Sequence, residues 1–107
     1  PYTATKAAMV SASMTMAKEL GPAGIRVNVV TPGYVNGPPL ETLFASIAER
    51  EGIEAADASR RMAATAALRR HVDPVDIAQV ALFLAGPGAN NITGVELRVD
   101  AGQLIQG

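Results

Sequence analysis

The chain has 107 residues, 49% of them hydrophobic, with nine Lys and Arg against ten Asp and Glu for a formal net charge of −1. That length holds one domain at most, and the balanced charge, with basic residues scattered apart from Arg60-Arg61 and Arg69-Arg70, leaves no footprint for nucleic acid. Cysteine is absent, which excludes a disulfide framework, a thiolate zinc site and a Cys nucleophile and fits a reducing, cytoplasmic setting. No apolar run is long enough to span a bilayer, so no membrane is expected. The single histidine, His71, sits in a polar stretch without convergent partners, so it reads as a loop or surface residue and no metal site is expected.

The first residue is Pro1, with no targeting sequence behind it, which reads as a processed chain or one whose beginning is missing. A helix is predicted over about Tyr2 to Leu20, with Gly21 just past its end and Pro22 preventing continuation. Ala4, Ala8, Ser11, Ala12 and Thr15 form a smooth face suited to close packing, flanked by Met9, Met16 and Leu20. Tyr2 and Lys6 stand one turn apart at the head of this helix. A nearby ammonium favours the phenolate and lowers a Tyr pKa from about 10, making a candidate proton donor and acceptor. Alone, the spacing usually means no more than a solvated pair on a helix surface.

Gly24-Ile25-Arg26-Val27-Asn28-Val29-Val30-Thr31 is a β-branched run bounded by Gly24 and Pro32-Gly33, and reads as a short buried strand. Tyr34-Val35-Asn36-Gly37-Pro38-Pro39 then forms a loop at the strand's carboxyl end, the edge at which open parallel sheets bind ligands. Two helical patterns follow, Leu40 to about Arg50 and about Glu54 to Leu68, separated by Gly52. Their Ala-rich, charged composition suggests a mobile cover over residues 40–68. Asp73-Pro74-Val75-Asp76 is a helix start with Asp at the N-cap and Pro at the first helical position, and Gly86-Pro87-Gly88 ends that helix. Ile92 to Asp100 reads as a second strand, with the sequon Asn91-Ile92-Thr93 part of the turn into it.

Two strands are too few for a stable parallel sheet, so their partners must come from elsewhere. The expected class is α/β, the carboxyl-terminal part of a doubly wound, Rossmann-type parallel sheet with two strands and four to five helices. The phosphate-binding half is expected to be absent from the chain.

These segments resemble the short-chain dehydrogenase/reductase family. Tyr2-Thr3-Ala4-Thr5-Lys6 is similar to its Tyr-x-x-x-Lys segment, and Gly24 to Gly33 to the strand and Pro-Gly turn that follow. Asp73-Pro74-Val75-Asp76-Ile77-Ala78 with Leu82-Phe83-Leu84-Ala85, then Ile92-Thr93-Gly94 through Asp100-Ala101-Gly102, resemble its last helix and strand. The resemblance implies an NAD(P)-dependent oxidoreductase similar to 3-oxoacyl-acyl-carrier reductases. Tyr2 would be the general acid or base toward a carbonyl or alcohol substrate, and Lys6 its activator and a holder of the nicotinamide ribose. Pro32, Gly33, Tyr34 and Val35 would line the nicotinamide of NAD or NADP, with the Val35 amide toward the carboxamide. The resemblance further implies a homo-oligomer formed through the first helix. Two positions depart from the pattern: Gly37 stands where the family often has Thr, and Asp100-Ala101-Gly102 where many members have Asp-Gly-Gly. A second reading keeps the 107-residue chain as a non-catalytic fragment or oligomerisation module, separable by a cofactor titration of the bare chain.

Overall fold

The computed structural model describes residues 2–103, Tyr2 through its backbone alone. Among the described residues, four α-helices and two strands follow in the order α1 (Tyr2–Leu20), β1 (Val29–Pro32), α2 (Pro38–Glu51), α3 (Ala55–Ala63), α4 (Pro74–Ala85) and β2 (Glu96–Val99), with short 3-10 turns at Gly21–Ala23 and Pro87–Ala89. The strands are neighbours in one sheet. Val29 N–H donates to the Val95 carbonyl and Gly33 N–H to that of Val99, so residue numbers rise together on the two strands and the pair is parallel. The expected α/β class with a two-stranded parallel sheet is what the chain adopts.

Close contacts group the chain into two compact units, Pro1–Thr31 with Gln79–Leu97, and Pro32–Ala78 with Arg98–Gly107. In the first, α1 accommodates its interior Ser13 and Thr15 because their hydroxyls donate back to the Met9 and Ser11 carbonyls, at 2.9 and 3.2 Å. The α-helix ends at Leu20, as its sequence predicts, but Gly21 is not its left-handed cap. Gly21-Pro22-Ala23 continues as a 3-10 turn, and the left-handed residue is Gly24, whose N–H closes on the Gly21 carbonyl at 2.8 Å. Proline tolerates this tighter first turn, so the chain reverses three residues later than Gly21 alone would predict. The smooth face of Ala4, Ala8, Ser11, Ala12 and Thr15 is exposed.

Both strands are shorter than their hydrophobic runs. Residues 26–28 lie beside 92–95 outside the ladder, joined by one backbone bond, from Gly94 N–H to the Val27 carbonyl at 2.8 Å, and otherwise by side chains. Asn28 donates from Nδ2 to the Ile92 carbonyl at 2.9 Å and accepts the Val95 N–H on Oδ1 at 3.2 Å. Thr93 Oγ1 accepts the Val27 N–H, and Arg26 reaches the Leu84 carbonyl at 2.6 Å. Beside the ladder itself, Thr31 Oγ1 donates to Glu96 Oε2 at 2.7 Å across the strands.

In the second unit α2 and α3 share a core. Leu40, Phe44 and Ala58 are buried together, with Ile47, Ile53 and Met62 packed against them. Gly52, at φ 69°, ends α2 as expected. Helix α3 stops at Ala63, not Leu68, because Thr65 Oγ1 takes the Met62 carbonyl at 2.7 Å and residues 64–70 turn back on themselves through Ala66 to Ala63 and Arg69 to Ala66 bonds.

Candidate functional site

Within the second unit, the loop that leaves β1 is fixed from three directions. Gly33 N–H donates to the Val99 carbonyl at 3.1 Å. A Cβ placed on Gly33 would lie 2.8 Å from both Cα and Cβ of Asp100, closer than real side chains approach, so only glycine lets the loop pass that residue. Asp100 itself is buried and accepts the Gly102 N–H on Oδ1 at 2.9 Å.

The next turn is stitched to residues 71–73. Val72 N–H donates to the Tyr34 carbonyl at 3.0 Å, and Asn36 N–H to the Val72 carbonyl at 2.8 Å, which makes Val35 and Val72 an isolated parallel bridge. In such a bridge the neighbours of Val35 supply the bonds on that side, so its own N–H and C=O point to the opposite edge. Asn36 Nδ2 donates to Asp73 Oδ1 at 2.8 Å, just where α4 begins. Asp73 N–H in turn donates to Asp76 Oδ2 at 2.8 Å, the reaching-back half of a capping box. The helix start predicted at Asp73-Pro74 therefore also anchors the loop. Gly37, at φ 151° and ψ 179°, occupies backbone space largely restricted to glycine, so a threonine there would require another loop path.

Above Tyr34 lies a contact that the sequence did not disclose. His71, read from the sequence as a loop or surface residue, is partly buried, with its ring edge-on to Tyr34 at 6.4 Å between centroids and tilted against Phe44 at 5.2 Å. Its Nε2 lies 3.2 Å from both Oγ and the carbonyl oxygen of Ser59. No spacing rule joins positions 34, 44, 59 and 71, which meet only through the tertiary fold. On the solvent side of the α2–α3 pair, Arg61 Nη1 donates to Glu51 Oε1 at 2.6 Å; this bond and the Arg61 charge hold the Glu51 carboxyl below the usual range and raise the Arg61 guanidinium.

The structure thus brings Pro32, Gly33, Tyr34 and Val35 into one braced loop. Tyr2 and Lys6 are one turn apart on α1, in the first unit. The Tyr2 side chain lies outside the described residues, and Lys6 is exposed. Among the described residues no group of three or more His, Cys, Asp or Glu could hold a metal ion, and no helix is long and apolar enough to cross a membrane.

Residues 1–103 match the family profile described as enoyl-(acyl-carrier protein) reductase. A short-chain dehydrogenase family protein from Francisella tularensis has the same fold over 98% of this chain, with a TM-score of 0.91 and 30% identity. The chain belongs to the short-chain dehydrogenase/reductase family. Among these dehydrogenases, oxidoreductase UcpA of Escherichia coli O157:H7 is 36% identical over 105 residues, which are 97% of this chain and 38% of UcpA. The structure of L-sorbose reductase from Gluconobacter frateurii, complexed with NADPH and L-sorbose, is similar over 96% of this chain and 40% of that one, with a TM-score of 0.88 and 29% identity. The Francisella protein is matched over 43% of its length. The chain therefore spans about two fifths of these relatives, and its two strands belong to a Rossmann-type parallel sheet.

Proposed function

We propose that the protein carrying this chain is an NAD(P)-dependent oxidoreductase that interconverts a carbonyl and a secondary alcohol. The observation that carries this reading is the Val35–Val72 bridge, which leaves a backbone donor and acceptor of Val35 on the open edge of a loop at the carboxyl end of a parallel strand. A primary carboxamide needs both a donor and an acceptor, so the loop fits a nicotinamide. Pro32, Gly33 and Tyr34 would hold the ring beside Val35, and Gly33 keeps the loop in place by its passage over Asp100. The likeness to an NADPH-bound sugar reductase supports the same cofactor class.

When bound, the nicotinamide supplies or accepts the hydride. The part of this chain is proton transfer and orientation. In reduction the Tyr2 hydroxyl donates a proton to the substrate oxygen; in oxidation the phenolate takes it back. Lys6, one turn along α1, stabilises the phenolate by its charge and binds the ribose hydroxyls. The α2–α3 pair covers the substrate. The substrate is a small carbonyl or alcohol, and neither nucleic acid nor membrane enters this reading. The exposed small-residue face of α1 is the surface through which copies would associate.

Tyr2→Phe in the complete protein tests the assignment. Turnover followed by nicotinamide absorbance should fall by roughly 10²–10⁴-fold, the range for a lost general acid or base, while cofactor binding persists. Undiminished turnover would reject it. The exposed α1 face also favours a second reading, in which the 107-residue chain alone is an assembly module; absence of cofactor binding by the bare chain in calorimetry would support it.

A further inference from the structure

We propose that His71 is a positioning residue for the substrate, a clamp that ties the α2–α3 cover to the loop carrying Tyr34 and Val35. This rests on the oxidoreductase reading above. One imidazole touches three elements of the second unit: Phe44 of α2 at 5.2 Å, Ser59 of α3 at 3.2 Å, and the loop through Tyr34 at 6.4 Å. The residue after it, Val72, is the one bonded on both sides to that loop. Any movement of α3 relative to His71 is therefore passed within one residue to the backbone that presents Val35.

The chemistry of the contact suits a clamp better than a core filler. Between Phe44 and Tyr34 a wholly apolar ring would pack without a polar atom to satisfy, whereas an imidazole requires a partner when water is withdrawn. Ser59 supplies one in either tautomer. With hydrogen on Nε2 the ring donates to the Ser59 carbonyl; with hydrogen on Nδ1 it accepts from the Ser59 hydroxyl. Ser59 is on α3 beside Ala58, which at 1% exposure is the most buried residue of the α2–α3 core. The bond therefore grips the cover at its centre. A single hydrogen bond between neutral groups holds a segment closed for most of the time and still lets it open for exchange of substrate.

The test uses the complete protein, with NADPH or NADH and whichever of L-sorbose, a 3-oxoacyl thioester or an aromatic ketone the wild type reduces. His71→Phe retains the ring between Phe44 and Tyr34 and removes the Ser59 bond; His71→Gln retains a donor and acceptor near Nε2. His71→Phe should raise the substrate KM by about three- to tenfold, the span of one neutral hydrogen bond, with kcat and cofactor affinity within about twofold. His71→Gln should restore KM to within about twofold of wild type. Amide exchange across 55–63 should quicken at least about threefold in His71→Phe and not in His71→Gln. Unchanged KM and exchange in His71→Phe overturn the clamp while wild-type turnover upholds the oxidoreductase reading. A parallel fall of kcat, cofactor affinity and melting temperature overturns it in favour of a purely structural role. No NAD(P)H oxidation with any of the three probes overturns the oxidoreductase reading and the clamp with it.

Discussion

The Arg26 guanidinium donates to the Leu84 carbonyl at 2.6 Å, joining residues 58 positions apart in the sequence. Leu84 lies in the last turn of α4, where carbonyls lack partners within the helix and carry the negative end of its dipole. The same Nη1 lies 3.5 Å from the Ile92 carbonyl, so one cation serves both the helix end and the turn into β2. Arg26→Met should retain the aliphatic stem and lose the charged bond, at a cost of about 1.5–3 kcal/mol. The urea midpoint of the complete protein should fall with the slope unchanged.

Gly33→Ala should damage the loop after β1, where the proposed cofactor site lies. The added methyl meets the Asp100 main chain at 2.8 Å, and backbone cannot rotate away as a flexible side chain can. Overpacking of this kind costs about 1–3 kcal/mol, and the loop must shift outward to relieve it. Cofactor affinity measured by nicotinamide fluorescence should fall by more than tenfold, with a smaller effect on the substrate KM.

Ala101→Gly should stabilise the protein. Ala101 has φ 54°, left-handed space that costs a residue with a Cβ about 1–2 kcal/mol, of which the greater chain entropy of glycine returns a part. A net gain of about 0.5 kcal/mol or more in thermal or chemical denaturation is expected. The neighbouring Gly102→Ala should act in the opposite sense, since its methyl would collide with Cβ of Ala67.

The Glu51–Arg61 pair should make the α2–α3 helix pair acid-sensitive. Glu51 is held below its ordinary carboxylate value by the Arg61 hydrogen bond and charge, so its contribution is present above the unfolded pKa and is lost as pH falls through the folded one. Glu51→Gln should remove that dependence. The stability difference between wild type and variant should be small at neutral pH, because both side chains are exposed, and should vanish toward strongly acid pH in parallel denaturation curves.

What the sequence determined by itself was local. Pro32-Gly33, Gly52 and Asp73-Pro74 punctuate the chain through backbone preferences that need no distant partner, so α1 and α4 stand where they were read, whereas α2 starts at Pro38, inside the stretch read as loop, because proline is tolerated in a helix's first turn. The ordered segments also sufficed to mark the family, since Tyr2, Lys6, Pro32, Gly33 and Asp100 keep their spacing whether or not the chain is folded. Tertiary structure decided the rest. Strand limits contracted to 29–32 and 96–99 because a ladder exists only where two backbones meet in register, and α3 ended early because Thr65 captured a helix carbonyl. The nest of His71, Ser59, Phe44 and Tyr34, like the bond from Arg26 to Leu84, joins residues from separate elements. Their partners are chosen by the path of the folded chain, and that path is set by the sum of all its contacts, not by any residue's neighbours along the sequence.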